Sequence, residues 1–466
     1  MKILHLISQA PDFTGSGKYI QAMIRCAAAK GHDNFLVAGV QDGFSMDSDL
    51  ISLDRCRYVH FKGEDLPYPL PGMSDAMPYE NTIFSQMSCV ALAAYESVFK
   101  TTIEEAIEAF QPDIIHSHHL WLVTVLACDV APHIPIVTTC HGTCLRQYTL
   151  CPEIRPKVSP SCQRIHRVIA LSAHQKQEIE AIHGISTDQI DIIPGGYDDT
   201  LFFLPDKREN DRSAGGSDHS MEGGQKSGVK PPVTLEYRQD GSGKKRVVEM
   251  IYAGKLCRAK GLPWLLQALA RIDAQGVPFP WRLHLAGSGV GEEKKQCLSL
   301  AEVLGSNVVV HGPLSHTDLG NLMRQCDLFI LPSFFEGLPL VLMEALACGC
   351  RVLTTALPGT REVLGHQEES DANRLVTLID LPTMETIDKP FDNDLPMLER
   401  LLADTLKSLI SLIATESDKP DPRLFSALAG PFSWEKIFEK IEWVYEKAFF
   451  HSTTVKHPEK IADHKK

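Results

Sequence analysis

Short apolar runs alternate with amphipathic stretches along most of the chain. KILHLIS near the start, VVEMIYA in the middle and LFIL at Leu328 to Leu331 are apolar on mostly consecutive positions, which suits strands buried on both faces of a parallel sheet. KILHLIS leads into a Phe13 to Lys18 loop and a helix over Tyr19 to Lys30. VVEMIYA leads into a Gly254 to Lys260 loop and a helix over Gly261 to Ala274. Both halves therefore open as strand, loop, helix, and the alternation that follows predicts two parallel α/β sheets. Further strands are expected at Asp113 to His116, Ile134 to Thr139 and Arg351 to Thr355, and a helix over Met397 to Ile413. A last helix, Phe432 to Phe449, carries Trp434, Ile437, Ile441 and Tyr445 on one side.

A stretch of a different kind joins the halves. Asp206 to Arg246 is rich in glycine, serine and charge and poor in aliphatic side chains, so little apolar surface is available there to offset the entropy of ordering. It reads as a disordered hinge insertion, placed where added length costs little because loop entropy grows slowly. His366 to Pro396 is a second irregular stretch. A chain of 466 residues is too long for one ordinary domain and suits two of about 200. The expected organisation is a first domain over residues 1–205, the insertion over 206–246, a second domain over 247–431, a closing helix over 432–450 and a tail over 451–466.

Composition narrows function more than fold. A hydrophobic content of 44% supports proper cores, while a net charge of −13 and a pI near 5.8 argue against general nucleic-acid binding, which needs a basic stripe to release counterions. No run of about 18 apolar residues predicts a membrane span, and Met1 to Ala10 is too short an apolar run to read as a signal peptide. Thirteen cysteines, an odd number, fit a reducing cytoplasm better than a disulfide framework. Cys140, Cys144, Cys151 and Cys162, with His141 beside them, raise the question of a zinc or iron–sulfur site. Their irregular spacing, without a Cys-x-x-Cys pair, favours plain thiols. A cytoplasmic location is expected, and peripheral association with the inner face of a membrane is compatible with it.

The richest segment is LFILPSFFEGLPLVLMEALACGCRVLTT, Leu328 to Thr355. A buried strand ends at Pro332 and Ser333, Glu336 follows on the loop, Pro339 suits the first helical position, and Val341, Leu342, Ala345 and Leu346 form an apolar stripe ended by Gly349. This layout suits a nucleotide-sugar site. The amides of Gly337, Leu338 and Leu340 can receive a diphosphate, Pro339 having no donor to add. Glu336 would reach the sugar, and Glu344, leaning back toward the helix N-terminus, would accept from both ribose hydroxyls. Two acids eight positions apart are weak evidence by themselves, since a helix dipole also favours such residues.

The whole string is more specific, and it resembles the retaining glycosyltransferases of GT-B type, family 4 (group 1), whose hallmark is two glutamates in an EGxPxxxxEA-like string. AGKLCRAKG at Ala253 to Gly261, HLAGSG at His284 to Gly289, PDFTGSGKYIQAMIRCAAAKGH, DIIHSHH, TTCHG and IIPGGYDDTLFFLP are similar to other landmarks of the family, in the right order. The resemblance covers nearly the whole chain apart from the two irregular stretches. It implies an α/β GT-B fold, two Rossmann-like domains with parallel sheets facing across a cleft, the first on the acceptor side and the second binding nucleotide sugar. The final helix is then expected to return to the first domain.

The resemblance also implies roles. Lys260 matches the family's diphosphate lysine, and Lys255 stands where an arginine is more usual; because lysine is a point charge without a bidentate fork, Arg258 is a candidate to supply the fork. His141 matches the histidine that faces the transferred sugar. Gly15 and Gly17 would let backbone approach the ligand closely. Arg146 is a candidate for holding an anionic acceptor, and His118 and His119, at the end of a strand, would lie along the same crevice as supporting residues behind those that touch the ligand. The implied reaction moves a hexosyl group from a nucleoside diphosphate sugar to an acceptor hydroxyl with retention, in glycan, polysaccharide or glycolipid synthesis. Neither metal nor other cofactor is expected, the partners being the donor and an acceptor of unassigned type. A phosphorylase of similar fold and a non-catalytic sugar-nucleotide-binding protein are the alternatives. From the composition of the insertion, deleting Ser213 to Lys226 is expected to leave melting temperature and turnover nearly unchanged; a large drop in either would show that the segment contributes to folding or function.

Overall fold

A computed structural model of the chain describes residues 1–12, 14–44, 46–74, 77, 79–205, 246–336, 339–364, 375–386, 388–417 and 420–456. Two compact units are formed. One comprises Met1–Gly196 together with the chain after Gly430, and the other Tyr197–Gly430. The expected insertion, apart from Arg246, and residues 366–374 and 387 of the second irregular stretch lie outside the described residues.

In the first unit the chain runs β1 (Lys2–Ile7), α1 (Gly15–Ala29), β2 (Asp33–Gln41), β3 (Cys56–Phe61), a small separate parallel pair β4 (Pro71–Gly72) and β5 (Thr82–Ile83), then α2 (Cys89–Phe110), β6 (Ile114–His118), α3 (Leu122–Val130), β7 (Ile136–Cys140), α4 (Thr143–Leu150), α5 (Arg155–Cys162), β8 (Arg167–Ala170), α6 (Ala173–His183) and β9 (Ile190–Ile192). The main sheet has seven parallel strands in the order β3-β2-β1-β6-β7-β8-β9. After β1 the chain moves to one side of it, and from β6 onward it builds on the other. That reversal puts the crevice at the carboxyl ends of β1 and β6, where their outgoing loops part.

The second unit repeats the scheme with β10 (Val248–Ala253), α7 (Leu262–Gln275), β11 (Trp281–Ala286), α8 (Gly291–Val303), β12 (Val308–Gly312), α9 (His316–Met323), β13 (Leu328–Leu331), α10 (Leu340–Ala347), β14 (Arg351–Thr355), α11 (Pro358–Leu364), β15 (Val376–Ile379), α12 (Leu395–Thr415) and α13 (Pro422–Ala429). Its six parallel strands lie in the order β12-β11-β10-β13-β14-β15, so the reversal falls between β10 and β13. The apolar runs read from the sequence are central strands here, with Leu328, Phe329, Ile330 and Leu331 all buried, as double-sided cover by helices requires.

The final helix, α14 (Trp434–Lys456), packs within the first unit. Ile437, Phe438, Ile441, Val444, Tyr445 and Ala448 are fully buried on it, and Glu442 on its outer side pairs with Lys30 at 2.9 Å and His32 at 2.8 Å. The boundary between units falls at Gly196 instead of residue 205. Tyr197 to Leu204 belongs to the second unit because its backbone and side chains are used there: Arg324 donates to the Leu201 carbonyl at 2.8 Å, and Leu204 fills the space over Gly349.

Three local expectations are corrected. Helix α1 begins at Gly15, not Tyr19, because Thr14 caps it by accepting from the Gly17 amide at 3.0 Å, and Gln9 in turn donates to Thr14 and Ser16 at 2.9 and 2.7 Å. Pro339 is the extended cap residue of α10, with φ −74° and ψ 100°, and Leu340 takes the first helical position. Strand β6 continues to His118, two residues beyond its expected end, because His118 still pairs with Thr139 of β7. No helix among the described residues is long and apolar enough to cross a membrane.

Candidate active site

In the second unit the site is built on the loops that follow β10 and β13. These loops touch through a glycine: Gly261, with φ +69°, lies so close to the Pro332 carbonyl oxygen that a Cβ would sit 1.9 Å from it. The Phe334 amide also donates to the Ala259 carbonyl at 2.9 Å. Below them Tyr252, fully buried, donates to the Lys255 carbonyl at 2.6 Å and props the first loop. Gly287, with φ +132°, makes room for the Gly254 carbonyl in the same way, so three neighbouring loops are locked together by backbone.

The consequence is chemical. Lys260 and Glu336, 76 positions apart in sequence, form an ion pair, and Ser333 donates to the same Glu336 oxygen at 3.0 Å. The other two loop cations are not gathered there. Lys255 is exposed, and Arg258 spreads its guanidinium over the Trp264 ring at 5.2 Å and lies 3.7 Å from Asp392. Gly337 and Leu338, two of the three amides expected to meet a diphosphate, lie outside the described residues. Leu340 opens α10.

Glu344 sits one turn inside α10, partly buried; its carbonyl accepts from the Cys348 amide at 3.1 Å, and its carboxyl has no hydrogen-bond partner among the described residues. Burial, with a smaller contribution from the negative charge of Asp198, pushes its carboxyl up to about 8. A dry carboxyl without a donor is held as the neutral acid. The two ribose hydroxyls of a nucleotide are the kind of donors that such a group lacks.

In the first unit the sequence candidates separate into layers. His141 follows β7, is partly exposed, and accepts or donates at Nε2 with His118 Nδ1 at 3.0 Å. His118 is a strand residue, fully buried and bonded to His141. His119 has φ +76°, an unusual conformation for a side chain with a Cβ, and is held in it because its carbonyl accepts from the Trp121 amide at 2.8 Å and from Thr124 at 2.6 Å. Tyr19 packs edge-on against His118 and His141, with ring centroids 5.6 and 5.0 Å away. Arg146 lies in the first turn of α4 and is partly buried.

The glycines of the first loop also divide. Gly17 has its space taken by the Asp12 backbone at 2.6 Å and so serves the fold, whereas nothing lies within 4 Å of a Cβ at Gly15. Cys140 and Cys144 place their sulfurs 3.4 Å apart, but Cys151 and Cys162 do not join them. Among the described residues the grouping of three or more metal-ligating atoms is instead His5, His116 and His118, within 4.8 Å of one another. His116 already uses both nitrogens, toward Tyr445 Oη at 2.7 Å and Thr139 Oγ1 at 2.8 Å, so the trio fits a dry hydrogen-bond network better than a ligand set.

Two parallel sheets of Rossmann type, each with polar loops at its strand carboxyl ends, define the GT-B class. Comparison with known sequences agrees: residues 235–378 match the model of "Glycosyl transferases group 1" and residues 91–201 that of "Glycosyltransferase Family 4". The chain belongs to this family, the group 1 or family 4 glycosyltransferases. A D-inositol 3-phosphate glycosyltransferase of Pseudarthrobacter chlorophenolicus is 26% identical over 267 residues, 54% of this chain and 57% of that protein. The match thus spans less than two thirds of that relative's length. A glycogen synthase of Mycobacterium tuberculosis is 22% identical over 84% of this chain and 87% of its own length. The fold is similar to that of HepE of Anabaena, solved in complex with UDP-glucose, with a TM-score of 0.56 and 18% identity over 96% of this chain and 99% of that one.

Two outcomes follow from this geometry. Gly261→Ala is expected to lower stability in urea unfolding by about 2 kcal/mol or more, since a methyl must displace backbone at a positive φ, while Gly15→Ala leaves stability nearly unchanged. For Glu344 the folded chain holds a proton that the unfolded chain loses near the ordinary value of 4.5. The stability tied to that proton is fully present below pH 4.5 and is lost as pH rises toward about 8. Glu344→Gln should therefore raise the melting temperature relative to wild type more at pH 8.5 than at pH 5, and a constant difference across that range would contradict the assignment.

Proposed function

We propose that the chain is a retaining glycosyltransferase that moves a hexosyl group from a nucleoside diphosphate sugar to an acceptor hydroxyl. The observation that carries this reading is the pairing of Lys260 with Glu336 beside the start of α10, with Glu344, an acid without a partner, one turn further on. Three parts of a donor find complementary groups in that order: the sugar at Glu336, the diphosphate at Lys260 and the N-terminus of α10, the ribose at Glu344. UDP-glucose in the complex of HepE is the kind of donor meant.

In this mechanism the leaving diphosphate gains negative charge as the glycosidic bond breaks. Lys260 is held at the donor loop by Glu336 before the donor arrives, so its charge is in place when the diphosphate leaves. Donor binding then turns an internal ion pair into a sugar–carboxylate and a phosphate–ammonium contact, and Glu336 offsets oxocarbenium charge. The acceptor hydroxyl attacks from the face that the diphosphate leaves, and the departing phosphate oxygen takes its proton. Lys255 and Arg258 are recruited to the diphosphate from their exposed positions, and His141 faces the sugar.

The test uses whichever nucleotide sugar the wild type cleaves. Initial rates are measured with and without excess chelator, for wild type and Lys260→Ala. The expected result is wild-type activity that survives chelation and a fall on the order of 100-fold in the variant, the size associated with losing one preorganised charge at a transition state. Activity abolished by chelator and restored by a divalent metal would overturn the mechanism, as would near-normal turnover of Lys260→Ala.

A further inference from the structure

We infer that His118 is a positioning residue that fixes the tautomer of His141, so that His141 meets the substrate as a hydrogen-bond donor through Nδ1 and not as a base. The inference rests on the preceding reading only in taking His141 to face the sugar; the tautomer itself follows from the protein.

Burial holds both rings well below the ordinary imidazole range, so both are neutral, and each carries one N–H and one bare nitrogen. The bond between them, 3.0 Å from His118 Nδ1 to His141 Nε2, needs a single proton. Its direction is decided by the far nitrogen of His118. Nε2 of His118 is buried and has no hydrogen-bond partner. If His118 accepted at Nδ1, its proton would lie on Nε2 as an N–H with nothing to bond in the interior. If His118 donates from Nδ1, Nε2 is left as a lone pair. Orphaned N–H groups are rarer in protein interiors than unfilled acceptors, so the second arrangement wins.

His141 then accepts at Nε2, and its proton must be on Nδ1. That nitrogen has no hydrogen-bond partner among the described residues, and His141 is the less buried member of the pair. Its N–H is directed by the bond behind it, as the second ring nitrogen of a histidine usually is. His118 cannot easily turn over to reverse the polarity. It stacks on His116 with ring centroids 4.5 Å apart, and His116 is pinned at both nitrogens by Tyr445 and Thr139. Tyr19 packs edge-on against His118, with centroids 5.6 Å apart. The hydroxyl of Tyr445, a residue of α14, is thereby linked through His116 and His118 to the imidazole of His141.

The test is nuclear magnetic resonance of the full chain labelled with 15N and 13C in histidine only, the His141 signals being assigned by their loss in His141→Gln. The wild type is expected to show His141 protonated at Nδ1. His118→Asn, whose amide can donate from nearly the place of Nδ1, keeps that signature, and His118→Leu loses it to a mixture of tautomers. Turnover should follow the spectra: a fall of tenfold or more in kcat for the leucine variant, largely recovered in the asparagine one. A wild-type His141 protonated at Nε2 would overturn the inference, as would equal impairment of the two variants with an unchanged tautomer. Turnover indifferent to His141→Gln, with the Nδ1–H signature present, would instead count against the sugar-facing role of His141 alone.

Discussion

The second unit's site depends on one steric fact: the Pro332 carbonyl passes so close to Gly261 that no side chain fits between them. Parallel strands β10 and β13 bring their carboxyl ends side by side, but strands alone leave the following loops free to part. The glycine removes that freedom. With the Phe334 amide bonded to the Ala259 carbonyl, the loops form one backbone body, and Lys260 and Glu336 are presented from opposite members of it. Both charges keep some contact with solvent, so their pairing orders the side chains more than it stabilises the fold.

The first unit solves a different problem, that of carrying polar groups in a dry interior. His5, His116 and His118 occupy neighbouring positions on β1 and β6 because parallel register sets His5 against His116 and the two-residue repeat puts His118 on the same face. Burial keeps them neutral, the rings pack on one another, and each is tied to a partner outside the trio: His5 to Asn34, His116 to Tyr445 and Thr139, His118 to His141. The last helix joins this network, since the Tyr445 hydroxyl lies 2.7 Å from His116 Nδ1. That gives a physical reason why α14 packs in the first unit: its apolar face covers the core, and its tyrosine meets a buried imidazole.

Much of this was legible along the sequence, for reasons of scale. Apolar runs and helical stripes are local, so the strands at Leu328 to Leu331 and Arg351 to Thr355 and the final helix could be read directly. Glu336 and Glu344 stood out because their whole surroundings lie within one contiguous string. What escaped reading depends on distant chain. The pairing of Lys260 with Glu336 joins two loops, and the raised Glu344 carboxyl owes its state to burial and to Asp198. The strand that carries His118 was read two residues short because β6 outlasts its apolar run, its pairing with β7 continuing through polar residues. The positive φ of His119 carried no sequence signal, since it is held by bonds to its carbonyl and not by a glycine. Gly17, read as an approach to ligand, is an approach to the Asp12 backbone.

The central claim is that this site cleaves a nucleotide sugar between the sugar and its diphosphate. It is tested most directly by following the chain with a panel of nucleotide sugars by 31P nuclear magnetic resonance, with inorganic phosphate present in a parallel series. The account predicts that at least one donor yields free nucleoside diphosphate, at a rate that does not depend on added phosphate. Release of sugar 1-phosphate only when phosphate and an oligosaccharide are supplied, with every nucleotide sugar left intact, would contradict it.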